Sequence, residues 1–336
     1  MVDVRFAWLG EMPSGQLPVY VGGIYQRLFA EYDGCEARVL ACHAVGRTFH
    51  LPLLLRDLGG GVKEAYSAYG YGGFIGPGQL SAEEFGALKA FLAGESVLCI
   101  FLRHSPFLAN QRLLPAGLTE LNRHTYAAPL ATHADFDACL AGMPQKIRWA
   151  ANYARRAGLQ VKFTSLAEGA GGNVNAFHAL YAALMRKKDT SKYYLFSETF
   201  FREHARLGAQ CELAEIVDSA SGRLLAGAFF LLDDSGWVHY HLSAAEPEAM
   251  KLQGMELLMA SAIFRYGSRG CKALHLGGGH VLDESDGLSR FKSKFGSERY
   301  EFHCSRLICD ESAYHAERAR TSLAHPNFFL IADARG

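Results

Sequence analysis

The stretch "CELAEIVDSASGRLLAGAFFLLDDSGWVHYHLSA", residues 211–244, constrains the fold more than any other part of the chain. Three apolar runs are separated by "SASG" and "DDSG", each a cluster of turn formers. Runs this short, spaced this closely, predict three antiparallel strands joined by hairpins. The segments C-terminal to them narrow the choice. "KLQGMELLMASAIFRYGSRG" predicts a long apolar helix ending at glycine, and "CKALHLGGG" a strand. "DGLSRFKSKFG" then predicts a short helix before a last strand. Ahead of the three strands, "QKIRWAANYARRAG" puts Ile147, Ala150, Ala151 and Ala154 at helical spacing, and "LQVKFTS" leaves as a strand. Two more helices come next, "NVNAFHALYAALMRKKD" and "SETFFREHARLG", the second capped by Ser197.

The first half alternates in the same way. "ARVLACHAV" and "RTFHLPLLLRDL" read as strands, as does "TYAAPLAT". "SAEEFGALKAFLA" opens a helix at Ser81, and "SVLCIFLRH" is apolar enough to be buried on both faces. The 336 residues suffice for two domains. The fold class is therefore α/β (α+β) with mixed sheets. Lys plus Arg number 34, as do Asp plus Glu, which argues against a broad nucleic-acid-binding surface. Eight cysteines include no CxxC pair and several lie in apolar runs, so they read as free thiols in a reducing compartment. The start has no basic segment followed by a long apolar run, and no run reaches membrane-spanning length. The expected compartment is the cytoplasm.

Three antiparallel strands, then helix, strand, helix and strand, make the core of the GNAT acyltransferase fold. The ordered set "YGYGGFIGP", "QKIRWAANYARRAGLQV", "HYHLSAAEPEAMKLQG", "LHLGGG" and "DGLSRFKSKFG" resembles the Fem-like branch of that superfamily over about residues 60 to 305. The resemblance implies two tandem GNAT-like domains. It places an N-terminal domain over 1–142 with a returning tail, about 314–336, and a donor-site domain over 143–313. It also implies an N-acyltransferase that moves an aminoacyl or acyl group to an amine. No bound cofactor is expected. The co-substrate would be aminoacyl-tRNA or acyl-CoA, and the acceptor an amine-bearing small molecule or a nucleotide-linked one. The competing reading is a non-catalytic binding module that keeps the fold and has lost the donor site.

Candidate site residues emerge from side-chain chemistry. His239 and His241 flank Tyr240 and, on a strand, share a face. An imidazole there suits general-base work on an incoming amine, and His241 is the candidate. Lys292 matches the lysine of the family's "FK" motif, which the family associates with donor phosphate or developing charge. Gly277 and Gly278 at a strand end permit close backbone approach to a substrate. Tyr71, Gly72 and Gly73 either line an acceptor cleft or form a turn with wedged tyrosines. Arg148 and the basic, aromatic stretch around Lys192 and Tyr194 suit phosphate, or else are solvated helix faces. Gln253-Gly254 stands where acetyl-CoA enzymes carry a diphosphate loop, but Glu256 opposes a diphosphate there. His239, His241, His275 and His280 do not match a structural zinc spacing, and no metal is expected.

Overall fold

The computed structural model describes residues 4–44, 46–168, 172–188, 192–280, 282–320 and 325–335. The chain divides into two units. The first takes residues up to Gly15, Tyr20–Arg123 and everything from Tyr300. The second takes Gln16–Val19 and His124–Arg299. The sequence alone puts these divisions near Met143 and Ala313. They fall earlier because the chain leaves and re-enters the first unit along two strands, Glu120–Pro129 and Glu298–Ile308.

The first unit begins with β1 (Arg5–Leu9), α1 (Gly23–Asp33), β2 (Glu36–Ala44), β3 (Arg47–Gly59), β4 (Val62–Tyr66), α2 (Ala82–Gly94) and β5 (Val97–Arg103). Helix α2 starts as its sequence requires. The Ser81 hydroxyl accepts from the Glu84 N–H, and the Glu84 carboxylate accepts from the Ser81 N–H. Strand β6 (Glu120–Pro129) then carries the chain into the second unit.

The second unit continues with α3 (Phe136–Ala141), α4 (Gln145–Arg156), β7 (Leu159–Ser165), α5 (Gly172–Lys187) and α6 (Glu198–Glu203). The three hairpin strands come next as β8 (Cys211–Asp218), β9 (Leu224–Leu232) and β10 (Trp237–Ala245). After them come α7 (Pro247–Lys251), α8 (Gly254–Ser268), β11 (Ala273–Gly278) and α9 (Gly287–Ser293). Its sheet runs β6-β11-β10-β9-β8-β7. Successive side chains on a strand alternate faces, and β9 shows that both faces are covered. Phe229 meets Phe177 of α5 at 5.0 Å and Phe201 of α6 at 5.5 Å. Phe230, next in the chain, meets Tyr266 of α8 at 5.4 Å. Truncating aromatics this deeply buried typically costs about 3–5 kcal/mol each.

Strand β12 (Glu298–Ile308) returns to the first unit, where Cys304–Ile308 pair antiparallel with β5. Helices α10 (Glu311–Arg320) and α11 (Ile331–Arg335) complete the described chain. The Ile331 N–H donates to the fully buried Glu64 carboxylate at 2.6 Å. Arg56 bonds the same carboxylate at 3.2 Å and Asp333 at 2.8 Å.

Among the described residues no helix is long and apolar enough to cross a membrane.

Candidate active site

The site is built where β10 and β11 part. They pair in parallel through Trp237–Ala273, Val238–Leu274 and His239–His275, and no farther. On its other side, β10 loses register with β9 between Tyr240 and Ser243, where one extra residue bulges. The strand thus loses register with β9 just where its pairing with β11 has ended, over His241 and Leu242. His239 and His275 are buried, whereas Tyr240, His241, Gly277 and Gly278 are half-exposed.

The two histidines of β10 differ in environment. His239 Nε2 lies 3.2 Å from a carboxylate oxygen of Asp233, in the β9–β10 turn. Burial would raise the Asp233 carboxyl. The bonds from His239, Ser235 and the Trp237 N–H outweigh this and hold it low. Burial in turn keeps the His239 imidazole neutral in spite of that carboxylate. A neutral ring then donates from Nε2, which fixes its tautomer. His241 lies one strand step nearer the opening, its ring 5.7 Å from that of His204. Burial, then His204 and His239, push its pKa well below the usual imidazole range. Tyr240 points to the other face, 5.6 Å from Phe230.

Lys292 of α9 lies beside the end of β11. Its Nζ donates to the Gly278 carbonyl at 2.8 Å and stands 6.0 Å from the Tyr240 ring centroid. Its charge adds to the burial that keeps His275 neutral. The ammonium is little exposed, yet it sits beside the half-exposed glycines. Such a fixed cation stabilises negative charge developing nearby without rearrangement.

Residues 142–293 match the acetyltransferase (GNAT) domain family. They are a GNAT acyltransferase domain. Solved structures agree on the fold. FemX is 14% identical, over 87% of this chain and 92% of that one, with a TM-score of 0.61. The C-terminal domain of a protein described as a putative lysylphosphatidylglycerol synthetase, from Agrobacterium fabrum, is 13% identical over 82% and 85%, with a TM-score of 0.51. A tandem GNAT protein from the clavulanic acid biosynthesis pathway is 11% identical over 90% and 98%, with a TM-score of 0.50. At such identities the likeness concerns the fold alone. No curated protein sequence matches the chain.

Within the GNAT domain, His239, His241, Gly277, Gly278 and Lys292 gather at the parting strands. The glycines of "HLGGG" have separate tasks. Gly277 has φ +71°, in the left-handed region. Gly278 supplies the carbonyl that holds Lys292. Gly279 is a packing requirement. A Cβ there would lie 1.8 Å from the Ser289 Oγ and 2.4 Å from the Asp286 carboxylate. Asp286 caps α9, accepting from the Leu288 and Ser289 N–H groups. Gly279→Ala is therefore expected to displace the cap and destabilise the protein by about 1–3 kcal/mol, measured by denaturant unfolding. Unchanged stability would mean that the cap shifts freely.

Other candidates lie elsewhere. Arg148 donates to the Ala141 carbonyl at the end of α3. The cation that α4 turns into a neighbouring cleft is Lys146. Tyr194 is partly exposed and packs edge-on to Tyr193 at 5.4 Å, and the Lys192 side chain lies outside the described residues. Tyr71, Gly72 and Gly73 belong to the first unit. There Tyr71 is ringed by Tyr20, Phe107 and Phe302 at 5.2–5.8 Å. Gly73 has φ +85°, and a Cβ would meet His104 at 2.9 Å. These contacts give the wedged-tyrosine turn a physical basis. Reasoning from sequence alone misses Trp149. Its signal is an indole on the polar side of α4, opposite Ile147, Ala151 and Ala154.

Proposed function

We propose that the GNAT domain catalyses N-acyl transfer from an aminoacyl ester or acyl thioester to an amine, at the opening between β10 and β11. One observation carries the reading: β10 and β11 separate beyond His239–His275, and His241 and Lys292 stand at that separation from different elements. The amine nitrogen attacks the donor carbonyl and the N–C bond forms. The carbonyl oxygen takes negative charge beside the Lys292 ammonium. The nitrogen's proton passes to neutral His241. Collapse breaks the C–O or C–S bond, and the leaving oxygen or sulfur takes up the proton from His241, which returns to its neutral form. No covalent enzyme intermediate is required, and holding the reactants together supplies much of the rate.

One structural neighbour, the C-terminal domain of a protein described as a putative lysylphosphatidylglycerol synthetase, supports an aminoacyl donor. The tandem GNAT protein was solved without AcCoA, and its description by that thioester supports the second donor class. The test is a mass-spectrometric screen of the purified protein with aminoacyl-tRNAs, acyl-CoAs and a panel of amines. The expected result is an amide product of donor plus acceptor mass less the leaving group. Donor hydrolysis alone, or no turnover with any pair, would count against the proposal.

A further inference from the structure

We infer that His204 is a positioning residue for His241. Its Nε2 accepts a hydrogen bond from the His241 Nε2–H, which leaves the His241 Nδ1 lone pair facing the opening as the base. The inference rests on the acyl-transfer reading and names the group that prepares its base.

His204 ends α6 and is fully buried. Its ring stacks on Phe229 at 4.8 Å and 19°, and meets Phe200 edge-on at 4.9 Å. Phenylalanine would fill such a space as well, so the imidazole calls for a use of its nitrogens. One use is visible. Nδ1 lies 2.9 Å from the Phe200 carbonyl oxygen, which can only accept. The proton is therefore on Nδ1, and Nε2 carries a lone pair. Burial keeps the ring neutral, its pKa lowered to about 4. Nε2 is shielded from solvent, and among the described residues nothing hydrogen-bonds it. A buried acceptor without a donor is costly.

The backbone brings a donor to it. Tyr240 pairs with Phe230 and Ser243 with Ala228, so His241 and Leu242 together oppose Phe229. A bulge of this kind re-aims the side chains it carries. Phe229 is the ring on which His204 stacks, and the His241 ring lies 5.7 Å from that of His204, tilted by 40°. A nitrogen–nitrogen hydrogen bond of about 3 Å needs the rings slightly closer, which a small turn of the His241 side chain supplies. The His241 Nε2 is itself shielded from solvent, so Nδ1 is the nitrogen that can meet an amine. His239, on the same face, is turned to Asp233 instead. During transfer the amine's proton goes to Nδ1. The imidazolium then holds two protons, and its bond to neutral His204 becomes charge-assisted and stronger. Nδ1 passes its proton on to the leaving group, and His204 neither gains nor loses one.

The test reads the tautomer directly. Ring-nitrogen NMR spectra of the histidine-labelled protein near neutral pH are compared for wild type, His204→Phe and His204→Gln. The His241 signals are those lost in His241→Gln. Wild type is expected to carry the His241 proton on Nε2 alone, and His204→Phe to show both tautomers. His204→Gln, whose amide oxygen accepts, should restore much of the first pattern. With a reactive donor and amine, His204→Phe should lower kcat by about 10- to 100-fold, the loss of one hydrogen bond to a charged group, with KM little changed. A wild-type proton on Nδ1 overturns the inference, and that result needs no variant to fold. So does an unchanged tautomer or an unchanged kcat in His204→Phe, or a glutamine variant no better than the phenylalanine one. If the tautomers behave as expected but no donor reacts with wild type, acyl transfer falls and the histidine pair stands. If amide forms and the tautomers do not respond, the pair falls and acyl transfer stands.

Discussion

Replacing His241 with Gln is expected to lower turnover by about a hundred- to ten-thousand-fold while leaving the fold intact. Gln preserves bulk and hydrogen-bonding capacity but takes up no proton near neutrality. The pH dependence has a definite sign. An imidazole whose pKa is pushed below its usual value stays neutral, and so stays a base, as pH falls through about 6.5. Wild-type activity should therefore persist past that point and fall only in more acidic solution. There the wild type approaches the variant, so the gap between them is widest at neutral pH and narrows on acidification. Steady-state rates between roughly pH 5 and 8, with thermal melts as a folding control, check this. Full turnover by His241→Gln across that range would make the histidine structural.

Lys292→Ala is expected to reduce kcat/KM for the donor by about a hundred- to a thousand-fold, the range seen when a group stabilising an oxyanion is removed. The acceptor KM should move little. Two effects are folded together in that variant, because Lys292 also bonds the Gly278 carbonyl. Lys292→Gln separates them, since an amide can keep that bond without the charge. If Lys292→Gln matches Lys292→Ala, charge is what matters. If it restores the rate, the lysine acts by orienting the strand end. Unchanged donor kinetics in both variants would remove Lys292 from the reaction.

Much of the second unit is legible in the sequence because its signals are local. The turns "SASG" and "DDSG" bound β8, β9 and β10, and "LQVKFTS" spans β7 residue for residue. Ser197 caps its helix through the Phe200 N–H, as its sequence position predicts. The first unit's ends are less legible. β12, "ERYEFHCSRLI", intersperses charged and polar residues among its apolar ones, and its partner β5 lies about two hundred positions earlier. The site divides in the same way. Histidine, lysine and glycine on a strand end announce themselves by type. The bonds that assign their tasks are tertiary: Asp233 to His239, Lys292 to Gly278, and Glu256 to Lys294. Arg148 shows the converse, since a cation suited to phosphate is engaged by a carbonyl that no periodicity reveals.

The link between Glu64 and Ile331 bears on how the chain is made. The two residues are 267 positions apart. Burial pushes the Glu64 carboxyl upward, and Arg56 and the backbone N–H groups of Ile331 and Ala332 pull against it. During synthesis at about 5–20 residues per second, the first unit's early strands emerge long before β12 and α11 exist. Glu64 must wait, solvated or bound by a chaperone, while nearly the whole protein is translated. Residues 124–299 meanwhile emerge without interruption and hold almost all the second unit's partners. The unit begun second is thus the first that can finish folding, and a ribosome stalled in the last stretch would present a folded GNAT domain beside an unclosed neighbour.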